Sequence, residues 1–281
     1  MSHSPLIDRR HLDFVLHDLL GITQLTRYPR YAEHARDIFD ATIDLAHRIA
    51  IEKFLPHNRK SDLNEPHLLD GSVQLIPEIG DAMRAYNEAG FTAIMADAGD
   101  GGLQLPFVVA TACDALFAAA NLGTSAYPAL ARAAANLLDA HACDDQKRRY
   151  MVPILEGRWF GTMCLSEPQA GSSLGDITTL ATPQADGSYK ICGAKMWISA
   201  GEHELGANIV HLVLAKIVGA PPGVRGISLF IVPRHKVAMD GSIGAPNDVR
   251  LAGINHKMGQ RGSVNTFLKF GEQDDCIGEL V

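Results

Sequence analysis

The chain has 281 residues, a formal net charge of −7 and a hydrophobic fraction of 47%. With no basic run longer than Lys147-Arg148-Arg149, that acidic balance excludes a nucleic-acid partner held by phosphate neutralisation. Five widely spaced cysteines (Cys113, Cys143, Cys164, Cys192, Cys276), an odd number with no C-x-x-C pair, fit free thiols in a reducing compartment and no zinc site.

The first residues carry early acidic groups and no apolar h-region, so no signal peptide is expected and the reading is cytoplasmic. Residues 1–28 hold one short amphipathic piece (Leu12, Val15, Leu16, Leu19, Leu20), an arm or a docked helix. Tyr31 to Phe54 has helical spacing, with Ile38, Phe39, Ile43, Leu45, Ala46 and Ile49 on one side. Its charged stripe reads as a solvated face with Asp44 and Arg48 paired one turn apart, and Pro56 stops it. Pro66 to Ser72 is a connector, and Gln74 to Ala89 is a second amphipathic helix ended by Gly90. Asp97 to Gly102 lacks the terminal Glu of a calcium loop and the Gly-Lys-Ser/Thr of a phosphate loop, so it reads as plain loop. Pro106 to Leu122, interrupted by Asp114, falls short of the ~20 residues a membrane span needs. A central buried helix is expected instead, with a new helix starting at Tyr127-Pro128 and a short one at Asp144-Asp145 that breaks near Pro153.

After Arg158 the period changes from near four to two. Expected strands are Phe160 to Ser166, Ile177 to Thr182, Ser188 to Ser199, Ala207 to Val218, Gly226 to Pro233 and Val264 to Phe270. Asp186-Gly187 between two of them signals a hairpin. The expected class is therefore α+β: an all-α domain over 1–158, then a small antiparallel barrel or sandwich over 159–281.

One stretch carries chemistry. Met163-Cys164-Leu165-Ser166-Glu167-Pro168-Gln169-Ala170-Gly171-Ser172-Ser173 reads as a strand breaking into a loop. Lys195-Met196-Trp197-Ile198-Ser199 reads as a strand with Trp197 and Ser199 on one face. The hairpin could bring the two together, and an aromatic plane beside two hydroxyls suits a flat polar heterocycle. Glu167 reads as structural, since a carboxylate in a tight loop can accept backbone N–H bonds. His203, His211, His235 and His256 read as surface or satisfied core residues, not ligands.

Ser-Glu-Pro-Gln-Ala-Gly-Ser-Ser followed by Lys-Met-Trp-Ile-Ser resembles the paired flavin loops of the acyl-CoA dehydrogenase family, and Met258-Gly259-Gln260-Arg261-Gly262-Ser263 is similar to a later family segment. Pro29 to His34 and Pro56 to Lys60 resemble the branch that includes methylthiopropanoyl-CoA dehydrogenases. The resemblance implies FAD, an acyl-CoA substrate, an acceptor like electron-transfer flavoprotein, and a homo-oligomer. It implies that Met163, Leu165, Ser166, Trp197, Ile198 and Ser199 meet the flavin and that Ser172 meets CoA. The family's base lies in a further helical-bundle domain that this sequence does not reach, so the chain reads as a fragment, inactive alone, and no catalytic residue is assigned. Two departures stand out: Ser173 replaces an acidic residue, and Val264-Asn265-Thr266 replaces the family's Asp-Thr-Arg, leaving Asn265 as a partial stand-in for the arginine toward CoA. An oxidase or flavin hydroxylase on the same scaffold, and a short non-catalytic binding or assembly relative, remain as alternatives.

Overall fold

An apolar stripe along α1 (Arg36–Ile49) buries Phe39, Ile43, Ala46 and Ile49. The computed structural model describes residues 4–281. Two expectations for this helix fail. Ile38 is exposed, because it lies just off the packed stripe. Asp44 pairs with Arg9 rather than Arg48, and Asp40 is bonded by His17 at 2.8 Å. The N-terminal arm thus docks on Asp40 and Asp44, while Asp37, Asp44, Arg48 and Glu52 stay exposed as a solvated face should. In α2 (Pro77–Glu88), Ile79, Met83 and Tyr86 are buried. Gly90 ends it at φ +77°, a left-handed position that glycine adopts without a Cβ penalty.

α3 (Phe107–His141) is two helical limbs joined at a bend. Asn121 leaves helical geometry (φ −162°, ψ 94°), and its Oδ1 accepts the Thr124 N–H at 3.0 Å, the bond an N-cap makes. The second limb therefore starts right after Asn121, and Pro128 lies inside it instead of opening it. The bend folds the limbs back far enough for the Arg132 guanidinium to bond Asp114. By length and composition alone α3 could cross a membrane, yet it is bent and 56% of its most apolar window is buried inside the fold. That is the behaviour of a core helix.

A last helical turn, Val152–Leu155, leads into the sheet. Its strands are β1 (Trp159–Cys164), β2 (Leu180–Pro183), β3 (Tyr189–Ser199), β4 (Asn208–Ile217), β5 (Ile227–Pro233), β6 (Val249–Ile254), β7 (Asn265–Phe270) and β8 (Ile277–Leu280). Strands β3, β8, β5, β4 and β2 pair in a closed ring, with β1 added beside β4, and β7 then β6 added beside the far half of β3. The hairpin at Asp186-Gly187 is present, with the Gln184 N–H bonding the Ser188 carbonyl at 2.8 Å.

The sheet departs from the all-antiparallel expectation. β4 runs parallel to both β1 and β2, because the β2–β3 hairpin intervenes in sequence and lets the chain cross back. Strands β6 and β8 were not expected at all. Gly253 and Gly278 sit inside them, and neither alternates cleanly between apolar and polar.

Two apolar cores result. One fills the ring (Ile191, Ile198, Val213, Phe230, Leu268, Phe270), and the other joins the helices to the outer face of β1 and β4. Gly161 permits the second, since a Cβ there would lie 2.4 Å from the Ala134 Cβ of α3. His203 and His211 are core residues, their rings held neutral by burial down to about 3. His256 lies at the surface, near Glu65.

Candidate functional site

The loop after β1 is pinched by reciprocal main-chain bonds between Glu167 and Ala170, 2.7 and 3.1 Å. The Glu167 carboxylate faces inward and is fully engaged. It accepts from Thr178 N (2.7 Å) and Oγ1 (2.8 Å), Thr179 N (3.0 Å) and Oγ1 (2.5 Å), Gln169 Nε2 (2.7 Å) and Lys195 Nζ (3.0 Å). Burial alone would raise this carboxyl, but the Thr179 hydroxyl, the Thr178 N–H and the Lys195 ammonium hold it down at about 2. A group so consumed organises a loop; it has no lone pair to offer a substrate proton.

Lys195, wholly buried on β3, also donates to the Leu165 carbonyl at 3.0 Å. Next to it, the Met196 N–H donates to the Ser166 carbonyl at 2.9 Å. These bonds stitch residues 165–167 to residues 195–196, so the Ser166 bend and the Trp197 strand are neighbours. Lys195 was visible in the sequence motif, but nothing in its spacing signalled a buried cation with a carboxylate partner.

Trp197 follows at φ +66°, where the pairing of β3 with β7 slips by one residue between Thr266 and Leu268. A bulky residue in this region costs about 1–2 kcal/mol and persists only if its surroundings hold it. Here Thr266 Oγ1 donates to the Ile198 carbonyl at 3.0 Å and Ala200 N donates to the Val264 carbonyl at 2.9 Å. The outcome is an indole 59% exposed, with Ile198 buried in the ring core and Ser199 half-buried beyond it. Ile198 can therefore offer a ligand only its main chain. Ser166 and Met163 are half-buried, Leu165 has its carbonyl taken by Lys195, and Ser172 is exposed on the loop.

Against this edge lies a cavity of about 420 Å³, within the ~300–1,000 Å³ range of small-molecule pockets. The sheet side supplies Ser199, Gln260 and Ser263, and the helices supply Tyr86, Phe117 and Leu122 among others. The Tyr127 hydroxyl clamps the intervening loop to α3, donating to the Gly262 carbonyl at 3.3 Å and accepting the Val264 N–H at 3.0 Å.

Residues 162–271 match the model described as "Acyl-CoA dehydrogenase, middle domain". Over 97% of its length the chain is 34% identical to 3-methylmercaptopropionyl-CoA dehydrogenase of Ruegeria pomeroyi, of which it covers 46%. Along nearly its whole length the chain is thus similar to acyl-CoA dehydrogenases, and residues 162–271 match their middle domain. A butyryl-CoA dehydrogenase of Syntrophomonas wolfei is also 34% identical, across 100% of the chain and 47% of that protein. The chain thus spans about half the length of the curated acyl-CoA dehydrogenases it matches. Among solved structures, an acyl-CoA dehydrogenase from Bacillus anthracis complexed with FAD has the same fold, with a TM-score of 0.66, 20% identity, and coverage of 88% of this chain and 38% of that one.

Against the family pattern, Thr266 and Asn265 have other duties. Thr266 is fully buried and bonded to the Ile198 carbonyl, so it reaches no surface ligand. Asn265 Nδ2 donates to Ser199 Oγ at 3.3 Å, while its Oδ1 accepts from Asn255 Nδ2 at 2.8 Å. Asn265 positions Ser199, which argues against its standing in for an arginine at CoA.

Proposed function

We propose that this chain is the flavin-seating half of an FAD-dependent acyl-CoA dehydrogenase, which oxidises an acyl-CoA thioester to the 2-enoyl-CoA. The observation that carries the reading is the stitched pair of segments: the Ser166 bend bonded to Met196, beside an indole held at positive φ and presented to solvent. The donor set fits an isoalloxazine, because half-buried hydroxyls (Ser166, Ser199) can satisfy its polar edge and Trp197 can lie against its plane. Met163 and Leu165 would line the ring with main chain, Ile198 would contribute main chain only, and Ser172 would meet the CoA portion. Bound FAD supplies acceptance of the β-hydrogen as hydride.

The protein's own part is to hold and orient. Glu167 and Lys195 fix the loop, Asn265 aims the Ser199 hydroxyl, and the adjoining cavity shields an acyl chain from water. No α-proton base is assigned among these residues, since Glu167 is consumed by its partners. A cytoplasmic homo-oligomer passing electrons to an acceptor like electron-transfer flavoprotein completes the proposal, as the family resemblance implies.

The test is anaerobic addition of a short-chain acyl-CoA to the full-length protein. The flavin band should bleach and recover slowly in air; fast recovery would move the assignment to an oxidase or hydroxylase. A folded full-length protein free of flavin would overturn the proposal in favour of a non-catalytic relative.

A further inference from the structure

The cavity beside Ser199 is not apolar throughout. Together with Phe117, Leu122 and Leu130 its helical wall carries Asp114. Asp114 Oδ2 accepts from Arg132 Nη2 across the bend of α3. Arg132 is almost wholly buried, and its Nη1 is spent on the Tyr86 hydroxyl (3.0 Å) and the Phe91 carbonyl (3.5 Å). The guanidinium therefore faces protein. The Asp114 side chain, by contrast, stays 40% exposed, and among the described residues its Oδ1 has no hydrogen-bond donor. A pair serving only to brace the bend would have no need to keep one carboxylate oxygen open at a cavity wall.

An occupant of the cavity must deal with that oxygen. A methyl terminus would strip its water and give nothing back, leaving a partly buried acceptor unmet. A hydroxyl would replace the water with a charge-assisted bond. Around Asp114 the helical wall is mostly hydrocarbon (Phe117, Ala118, Leu122, Ala126, Leu130) and suits an alkyl stem, while Ser199, Gln260 and Ser263 lie on the sheet side. We propose that Asp114 makes this site selective for acyl groups whose far end bears a hydrogen-bond donor, a hydroxyl in the first instance, over plain alkyl chains of equal length. The inference rests on the acyl-CoA reading of the same cavity and deepens it.

The experiment uses the full-length, flavin-loaded protein and paired substrates: pentanoyl-, hexanoyl- and octanoyl-CoA against their ω-hydroxy counterparts. Three lengths are needed because the hydroxyl must fall at Asp114. At the best-fitting length the ω-hydroxy substrate should exceed its alkyl partner by about tenfold to a hundredfold in kcat/KM. Asp114→Asn removes the countercharge of Arg132 but keeps an acceptor for it, beside the bonds to the Tyr86 hydroxyl and the Phe91 carbonyl, and thermal unfolding and flavin content check that the variant is folded. It turns an amide N–H toward the cavity, from which a hydroxyl can still accept, so the preference should fall by about threefold or more as the charge assistance is lost. Preference for the alkyl member at every length, or an unchanged ratio in Asp114→Asn, overturns this inference alone. Failure of every acyl-CoA to bleach the flavin overturns the dehydrogenase reading and this inference with it.

Discussion

Glu167 shows how a residue can sit in the middle of a chemical motif and do no chemistry. Its carboxylate collects hydrogen bonds from Gln169, Thr178, Thr179 and Lys195 and ties three pieces of chain together. Replacing it with Gln leaves the Lys195 ammonium buried without a countercharge, which should cost about 3–5 kcal/mol in urea unfolding, with loss of flavin following from the slackened loop. Reduced stability with flavin retained would show the loop to be held by other bonds. The pH dependence has a definite sign. The folded carboxyl sits at about 2, against an ordinary 4.5, so its stabilisation is complete above about pH 4.5 and is lost as pH falls toward 2. Unfolding midpoints measured from pH 5 to pH 2 should decline in the native protein and decline less in Glu167→Gln.

At the scale of elements, much of the chain was legible and the failures have physical causes. The stripes of α1 and α2 and the stop at Gly90 followed from helical periodicity. The break in α3 falls at Asn121 and not at the expected Tyr127-Pro128, because the cap bond of Asn121 to Thr124 starts the second limb early and Pro128 is tolerated in it. The placement of Trp197 and Ser199 outside the core with Ile198 within it followed from strand alternation, but the bulge and positive φ at Trp197 depend on the partner strand β7 and have no local signature. Parallel pairing of β4 with β1 and β2 is likewise a tertiary choice. One element-level link deserves a direct test. Tyr127 joins α3 to the loop before β7, and Tyr127→Phe strands the buried Val264 N–H, which should cost about 1–3 kcal/mol and speed hydrogen exchange at Val264. Unchanged exchange there would show that the loop holds itself.

Over the whole molecule, two contacts beyond the Tyr127 clamp tie the helical layer to the sheet. One is the shared core across Gly161 and Ala134, and the other is β8, which bonds both β3 and β5 and carries Glu279 into a bidentate pair with Arg149 (2.7 and 2.6 Å). Gln146 Nε2 adds a bond to the Leu280 carbonyl at 2.8 Å. These contacts fix the bend of α3 against the sheet, and so the cavity against the strained strand. That arrangement makes Trp197 the reporter of choice, because it is exposed beside the candidate flavin edge, whereas Trp159 is buried in the core. The decisive measurement is quenching of tryptophan emission as FAD is titrated into the full-length apoprotein, compared with Trp197→Phe. Saturable quenching is expected in the native protein, with the Trp197 share of it missing from the variant; equal quenching in both, or none while FAD binds, would place the flavin elsewhere.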